Sequence, residues 1–259
     1  MVNSIESAIP EIGLAGVSKR FRSGVVALED ISLSVNRGEF VTFLGPSGCG
    51  KSTLLKLVSG LSPATQGQIQ VNGMTPENAR EMMGFIFQDA TLLPWRTVEQ
   101  NVGLGLELEY ATRAARQDRV ANMLDLVNLR HVAHSYPREL SGGMKMRASI
   151  ARALVNRPRI LLMDEPFAAL DEMTRDHLNE ELLRLHDEHK WTVLFVTHSV
   201  AEAVFLSSRV VILAAHPGRV AHKVKIQLPW PRTANTRESR SFEEIVTHVT
   251  RLLRGVVEP

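Results

Sequence analysis

Residues 45–52 read Gly-Pro-Ser-Gly-Cys-Gly-Lys-Ser, the spacing G-x-x-x-x-G-K-[ST]. Glycine lets successive backbone N–H groups converge on an anion, and a helix starting at such a loop adds the positive end of its dipole. Lys51 supplies a point charge for phosphate oxygens, and Ser52 an oxygen donor of the kind Mg2+ prefers. Gly45, Pro46, Ser47, Gly48, Cys49, Gly50 and Thr53 complete the cradle. Cys49 reads as a filler of the loop without catalytic work, at which alkylation would block a nucleotide.

Two carboxylates, Asp164 and Glu165, end the apolar run "RILLMDEP". Open α/β sheets bind ligands beyond the carboxyl ends of their strands, so position alone puts both acids at a site. Adjacent residues leave a strand end in different directions. Asp164 is expected to face the water shell of a Mg2+ ion, and Glu165 the attacking water, as base or orienter. The next run ends in "VTHS", which brings His198 to the same edge as a γ-phosphate contact. Gln88, after the short run "GFIF", has a neutral amide that can touch both metal and water.

These side chains meet only if strands and helices alternate. Residues 40–45, 159–165, 191–198 and 209–215 are continuously apolar, as in strands buried on both faces of a parallel sheet. Glu172 to His189, with Leu178, Leu182 and Leu185 on one stripe, reads as a connecting helix, so the fold class is α/β with a mostly parallel sheet. Residues 12–36 and 67–73 are expected to form a flanking antiparallel β-subdomain. Residues 97–130 are polar and lack strand signals, which suggests a helical subdomain at about 90–157 inserted in one domain spanning 12–250. An N-terminal extension (1–11) precedes it. A Pro/Arg-rich C-terminal tail (229–259) ends in a helix near Phe242–Arg254, and its arginines read as a solvated face.

The chain has 259 residues, 44% of them apolar, so it can bury a sizeable core. A formal charge of +2 and 5% aromatics give no reason to expect nucleic acid. The lone Cys49 excludes a disulfide framework and fits a reducing compartment. No apolar run approaches the roughly 18–20 residues of a membrane span, and the first residues lack a secretory pattern, so any membrane role is expected to be peripheral.

One stretch resists a reading within a single chain. In "LSGGMKMR" (140–147) Ser141 looks like a helix N-cap, yet Gly142 and Gly143 occupy the first turn, each at about 1 kcal/mol against alanine. A bare helix start is an anion site, but the loop at 45–53 already supplies one.

In order, "GPSGCGKST", "FQD" with Gln88, "LSGG", "ILLMDEP", "FAALD" and "VTH" resemble the ATP-binding subunit of ABC transporters, over about residues 12–215. The resemblance implies a P-loop NTPase core with ATP and Mg2+ as cofactors. It also implies a head-to-tail dimer, in which Ser141, Gly142 and Gly143 of one copy close on the γ-phosphate held by the other. Asp171 in "FAALD" then looks like a dimer contact, and Phe21 in "VSKRFRSG" sits where an aromatic stacks on adenine.

The chain departs from the family's commonest form at Met144 and Met146, where glutamines are usual. A thioether cannot donate to phosphate, so the contacts fall to the Ser141 hydroxyl and the N–H groups of Gly142 and Gly143. Met144 and the run "LLPWRTVEQNV" (92–102) resemble the branch importing nitrate, aliphatic sulfonates and taurine; Met146 finds no account in that likeness. The branch implies integral membrane permeases in contact near Leu92–Val98, through Leu92, Leu93 and Trp95. It also implies a periplasmic or lipid-tethered solute-binding protein, and a peripheral place on the cytoplasmic face of the inner membrane. Importers of thiamine precursors or bicarbonate stay open, as does an ABC ATPase of DNA repair or translation, although the tandem halves, coiled-coil insertion and metal-binding cysteines of the latter are missing. A P-loop kinase would need neither "LSGG" nor His198.

Overall fold

The computed structural model of the chain describes residues 10–108 and 112–257; most of the N-terminal extension (1–9) and the last two residues of the tail lie outside the described residues. Burial alternates along β1 (Ile12–Arg20) and β2 (Val26–Val35), so the pair presents one face to the core, with Ile12, Leu14 and Val17 beside Ile31, Leu33 and Val35. β3 (Phe40–Leu44) is buried at every residue and feeds through the glycine-rich loop into α1 (Lys51–Val58). β4 (Gln66–Val71) returns to pair antiparallel with β1, which closes a small sheet of order β2-β1-β4. β5 (Met83–Ile86) then forms one edge of the larger sheet.

The chain next leaves the sheet for a helical insertion: α2 (Val98–Val102), α3 (Arg113–Leu126) and α4 (Gly142–Leu154). Each starts at a hydroxyl cap, from Thr97, Thr112 and Ser141 in turn. Val98, Val102, Leu124, Leu140, Ala148 and Val155 make an apolar cluster separate from the main core. α4 is shared, because its other face carries Met146, Ile150 and Leu154 into that core. Met146, which the family likeness left without a role, is 5% exposed and packs as a core residue.

The remaining core alternates as expected: β6 (Ile160–Asp164), α5 (Glu172–His189), β7 (Thr192–Val196), α6 (Val200–Leu206) and β8 (Arg209–Ala214). β9 (Arg219–Lys225) follows as an antiparallel edge strand. Among the described residues the large sheet has the order β5-β6-β7-β3-β8-β9, parallel except for β9. β9 went unpredicted because its mostly exposed "RVAHKVK" has no apolar run to betray it.

The tail adds α7 (Ala234–Arg237) and α8 (Arg240–Val257), which lays Phe242 and Val249 on the core. Two of the tail arginines, Arg232 and Arg237, overturn the expectation of a solvated face, whereas Arg240, Arg251 and Arg254 are exposed as expected. Arg232 is 4% exposed, and its Nη1 donates to the carbonyls of Val204, Phe205 and Ser207, at 3.0, 2.8 and 2.9 Å. It thereby caps the C-terminus of α6, with its guanidinium 4.4 Å from the Trp230 ring centroid; burial pulls its pKa down to about 10. Arg237 pairs with Asp176 at 3.0 Å and lies 3.7 Å from the Phe205 ring. A chain end that terminates a helix needs buried donors, and composition cannot distinguish such arginines from exposed ones. Arg232→Ala strands three carbonyls; it is expected to cost about 2–4 kcal/mol and lower Tm by roughly 5–10 °C in scanning calorimetry. A shift under 1 °C would remove Arg232 from this role.

Candidate functional site

β3, β6, β7 and β8 run parallel, so the loops after their carboxyl ends share one edge of the sheet. The loop after β3 is built on glycine. Gly50 holds φ 93° as the N-cap of α1, and a Cβ there would stand 2.6 Å from Leu28 Cδ2 and 2.8 Å from the Ala27 carbonyl. Lys51 is buried, with Nζ donating to the Gly45 and Pro46 carbonyls at 2.8 and 3.1 Å, so one cation sits inside the loop. Cys49 is fully buried beneath it. Burial pushes its thiol up despite the neighbouring Lys51 charge, which fits the loop filler read from sequence and makes the thiol a poor target for alkylation.

Ser52 Oγ donates to Asp164 Oδ1 at 2.8 Å, which joins the first residues of α1 to the end of β6. Burial pushes the Asp164 carboxyl up, the Ser52 hydrogen bond opposes this, and the Glu165 charge adds to the rise. Glu165 breaks the strand direction: its φ is 48°, a left-handed conformation that non-glycine residues adopt at a cost, and its N–H donates to Val196 O at 3.0 Å. The carboxylate thereby turns toward the end of β7, where Glu165 Oε2 lies 3.4 Å from His198 Nδ1. His198 is held by its neighbours. Thr197 Oγ1 donates to the buried Glu202 carboxylate and accepts from Ser199 N–H at 3.0 Å, while Ser199 caps α6.

A cleft of about 400 Å3 opens here, lined by Phe21, Val25–Ala27, Ser47, Gly48, Gly50–Thr53, Glu165 and His216; Asp164 and His198 lie outside this lining but contact Ser52 and Glu165 within it. Phe21 is half-exposed on its wall. His216 was missed by sequence reasoning. It follows β8 in the turn "AAHPGRV", and the available signal was position, since β8 also ends at the ligand-binding edge.

Other expected residues stand apart. Gln88 is exposed two residues beyond β5, outside the cleft lining. Ser141, Gly142 and Gly143 open α4 at the surface, also outside it; Ser141 Oγ accepts from Met144 N–H at 3.3 Å. Asp171 caps α5 by accepting from Thr174 N–H at 2.9 Å, and Arg175 holds the preceding loop through the Phe167 and Leu170 carbonyls. The two glycines of α4 differ. A Cβ on Gly143 would press to 3.0 Å on Thr174 Cγ2, whereas one on Gly142 would make an ordinary 3.6 Å contact with Leu170. Among the described residues, no contact requires Gly142 to be bare.

The run at 92–98 is organised by Asn101, fully buried and also unforeseen. Its Oδ1 accepts from Leu93 N–H at 2.7 Å, and its Nδ2 donates to the carbonyls of Leu93, Arg96 and Thr97. With the loop so fixed, Leu92 packs on the helical cluster while Trp95 projects, 71% exposed.

Comparison with known proteins points to one family. Residues 28–168 match the protein-family description "ABC transporter". The chain is 44% identical over 239 residues to the aliphatic sulfonates import ATP-binding protein SsuB of Bacillus cereus, covering 90% of this chain and 92% of that one. It is 46% identical over 225 residues to the uncharacterized ABC transporter ATP-binding protein MJ0412 of Methanocaldococcus jannaschii, covering 87% and 84%. Among solved structures, the dimeric post-hydrolysis state of the ATP-binding cassette MJ0796, bound to ADP and Pi, superposes with a TM-score of 0.76 at 32% identity, over 84% of this chain and all of that one.

Proposed function

The chain belongs to the ABC transporter family, and from that premise we propose that it is the ATP-hydrolysing subunit of an importer for aliphatic sulfonates or related anions such as nitrate and taurine. The observation that carries the ATPase reading is the convergence of loop 45–53, Asp164, Glu165 and His198 at one sheet edge. The solute rests on likeness to the sulfonate proteins.

In this reading the N–H groups of residues 48–53 and Lys51 hold the phosphates, and Phe21 stacks on the adenine. Ser52 and Asp164 converge two hard oxygens 2.8 Å apart, which fits Mg2+, an ion that takes a few carboxylate or hydroxyl donors and completes its shell with phosphate and water. Bound there, Mg2+ would neutralise charge on the phosphates and relieve the cost of keeping Asp164 ionised in a buried place. Glu165 orients and deprotonates the attacking water, and His198 beside it contacts the γ-phosphate. Gln88, exposed and outside the lining, reaches metal and water only when the helical subdomain moves toward the core. Ser141, Gly142 and Gly143 serve the second copy's nucleotide, which supplies the outside reason for a bare Gly142. Asp171 and its pinned loop lie at the same dimer contact.

Among the described residues no helix is long and apolar enough to cross a membrane. Peripheral attachment at the cytoplasmic face then falls to permease subunits docking at Trp95, with a solute-binding protein on the other side. Exposed tryptophan on a rigid loop is the kind of anchor that dominates interfaces, worth about 2 kcal/mol or more. Trp95→Ala is expected to leave ATP hydrolysis by the purified chain within about twofold and to reduce cellular uptake of labelled alkanesulfonate at least tenfold. Wild-type uptake by this variant would remove Trp95 from the coupling, and uptake that survives deletion of the chain would overturn the solute.

A further inference from the structure

A second hollow lies at the amino edge of the sheet, away from the nucleotide cleft. Its volume is about 460 Å3, within the range of small-molecule pockets. Arg37, Arg159 and Trp191 stand just before β3, β6 and β7, so the core supplies one wall. The opposite wall belongs to the helical insertion, through Met123 and Leu126 of α3 and Leu154 of α4.

The lining is rich in cations, and two of them carry no compensating partner among the described residues. Arg37, Arg157, Arg159, His189 and Lys190 surround the hollow, and among the described residues no carboxylate lines it. Lys190 is paired with Asp187, and Arg159 with Glu11 at 3.3 Å; the side chains of Arg37 and Arg157 make no hydrogen bond or ion pair among the described residues. Two of these cations also stand where the backbone favours glycine. Arg157, just past α4, and Lys190, capping α5, both hold φ 53°, the left-handed helix-end position usually given to glycine. A helix C-terminus welcomes a cation, which accounts for one charge at each end but not for Arg37 or Arg159. Between the charges the floor is apolar: Trp191, stacked on His189 at 4.8 Å, with Leu126 and Leu154.

We propose that this hollow binds a small organic anion, an acid group held by Arg37 and Arg157 and an aliphatic or aromatic body laid on Trp191 and Leu126, bridging the helical insertion to the core. The inference is independent of the importer reading. Such an anion could be a sulfonate of the cargo class or a cellular carboxylate, and the arms of the test separate them. Titration calorimetry of the full chain, with millimolar ADP occupying the phosphate loop, would use hexane-1-sulfonate, hexanoate and inorganic sulfate. Hexane-1-sulfonate is expected to bind at least tenfold more tightly than sulfate. The double variant Arg37→Ala with Arg157→Gly, whose second change relieves backbone strain, is expected to bind at least tenfold more weakly while hydrolysing ATP at the parent rate. A tenfold preference for sulfonate over hexanoate would indicate the cargo class; parity would indicate a carboxylate. Equal affinity for sulfate and hexane-1-sulfonate, or unchanged binding by the double variant, would overturn the site.

Discussion

Glu165→Gln is expected to bind ATP as the parent does and to lose steady-state hydrolysis by about 10²–10⁴-fold, the usual worth of a positioned general base. The amide keeps the size of the side chain and can still hydrogen bond across the 3.4 Å to His198, but it cannot take a proton from water. The left-handed backbone at Glu165 should survive, because it is fixed by the Val196 carbonyl and not by the carboxylate. Binding without turnover then leaves ATP between two subunits, and the variant should run as a dimer in size-exclusion chromatography when ATP is present. Phosphate release at the parent rate would take Glu165 out of its role.

Ser141→Arg carries the second large effect. Ser141 is exposed, lies outside the nucleotide cleft and caps only its own helix, so within one chain its replacement is a matter of stability. Loss of the cap costs about 1 kcal/mol, which Ser141→Ala measures alone. If the helix start instead meets a second copy's nucleotide, arginine fills the space left by Gly142 and removes a hydroxyl donor. Hydrolysis should then fall by about 10²–10³-fold, the scale of losing one preorganised donor, while ATP affinity of the monomer stays near the parent value. Hydrolysis at the Ser141→Ala rate would mean that α4 does not touch a nucleotide.

How far the sequence disclosed these parts depends on what each residue answers to. The buried strands and α5 were legible because their neighbours are all apolar or striped, and Glu172–His189 matches the expected helix end for end. The phosphate loop was legible because its glycines, lysine and serine fall within eight consecutive residues at a fixed spacing, although Gly50 and Ser52 also answer to distant Leu28 and Asp164. Arg232, Asn101 and His216 were not, since each acts on segments distant in sequence or organised by turns: a helix end 25–28 residues back for Arg232, and a cleft wall for His216. Met146 was illegible for another reason. α4 packs on both the helical cluster and the main core, so a position that the family likeness left without an account faces the inside. Gly142 shows the converse: a Cβ there would make only an ordinary 3.6 Å contact, so the reason for its type is sought in the proposed second copy.

The composite site is tested most directly by mixing two inactive variants, Lys51→Ala and Ser141→Arg. Lys51→Ala loses a charge-assisted contact of about 1.5–3 kcal/mol and with it most nucleotide affinity. In a mixed dimer the Ser141→Arg copy retains an intact loop 45–53, and the Lys51→Ala copy retains an intact Ser141, so one of the two sites is whole. Phosphate release by the equimolar mixture should rise to about a quarter of the parent rate, since half of the dimers are mixed and each carries one working site of two. A mixture no more active than its two components would contradict the account, because it would mean that each chain completes its own site.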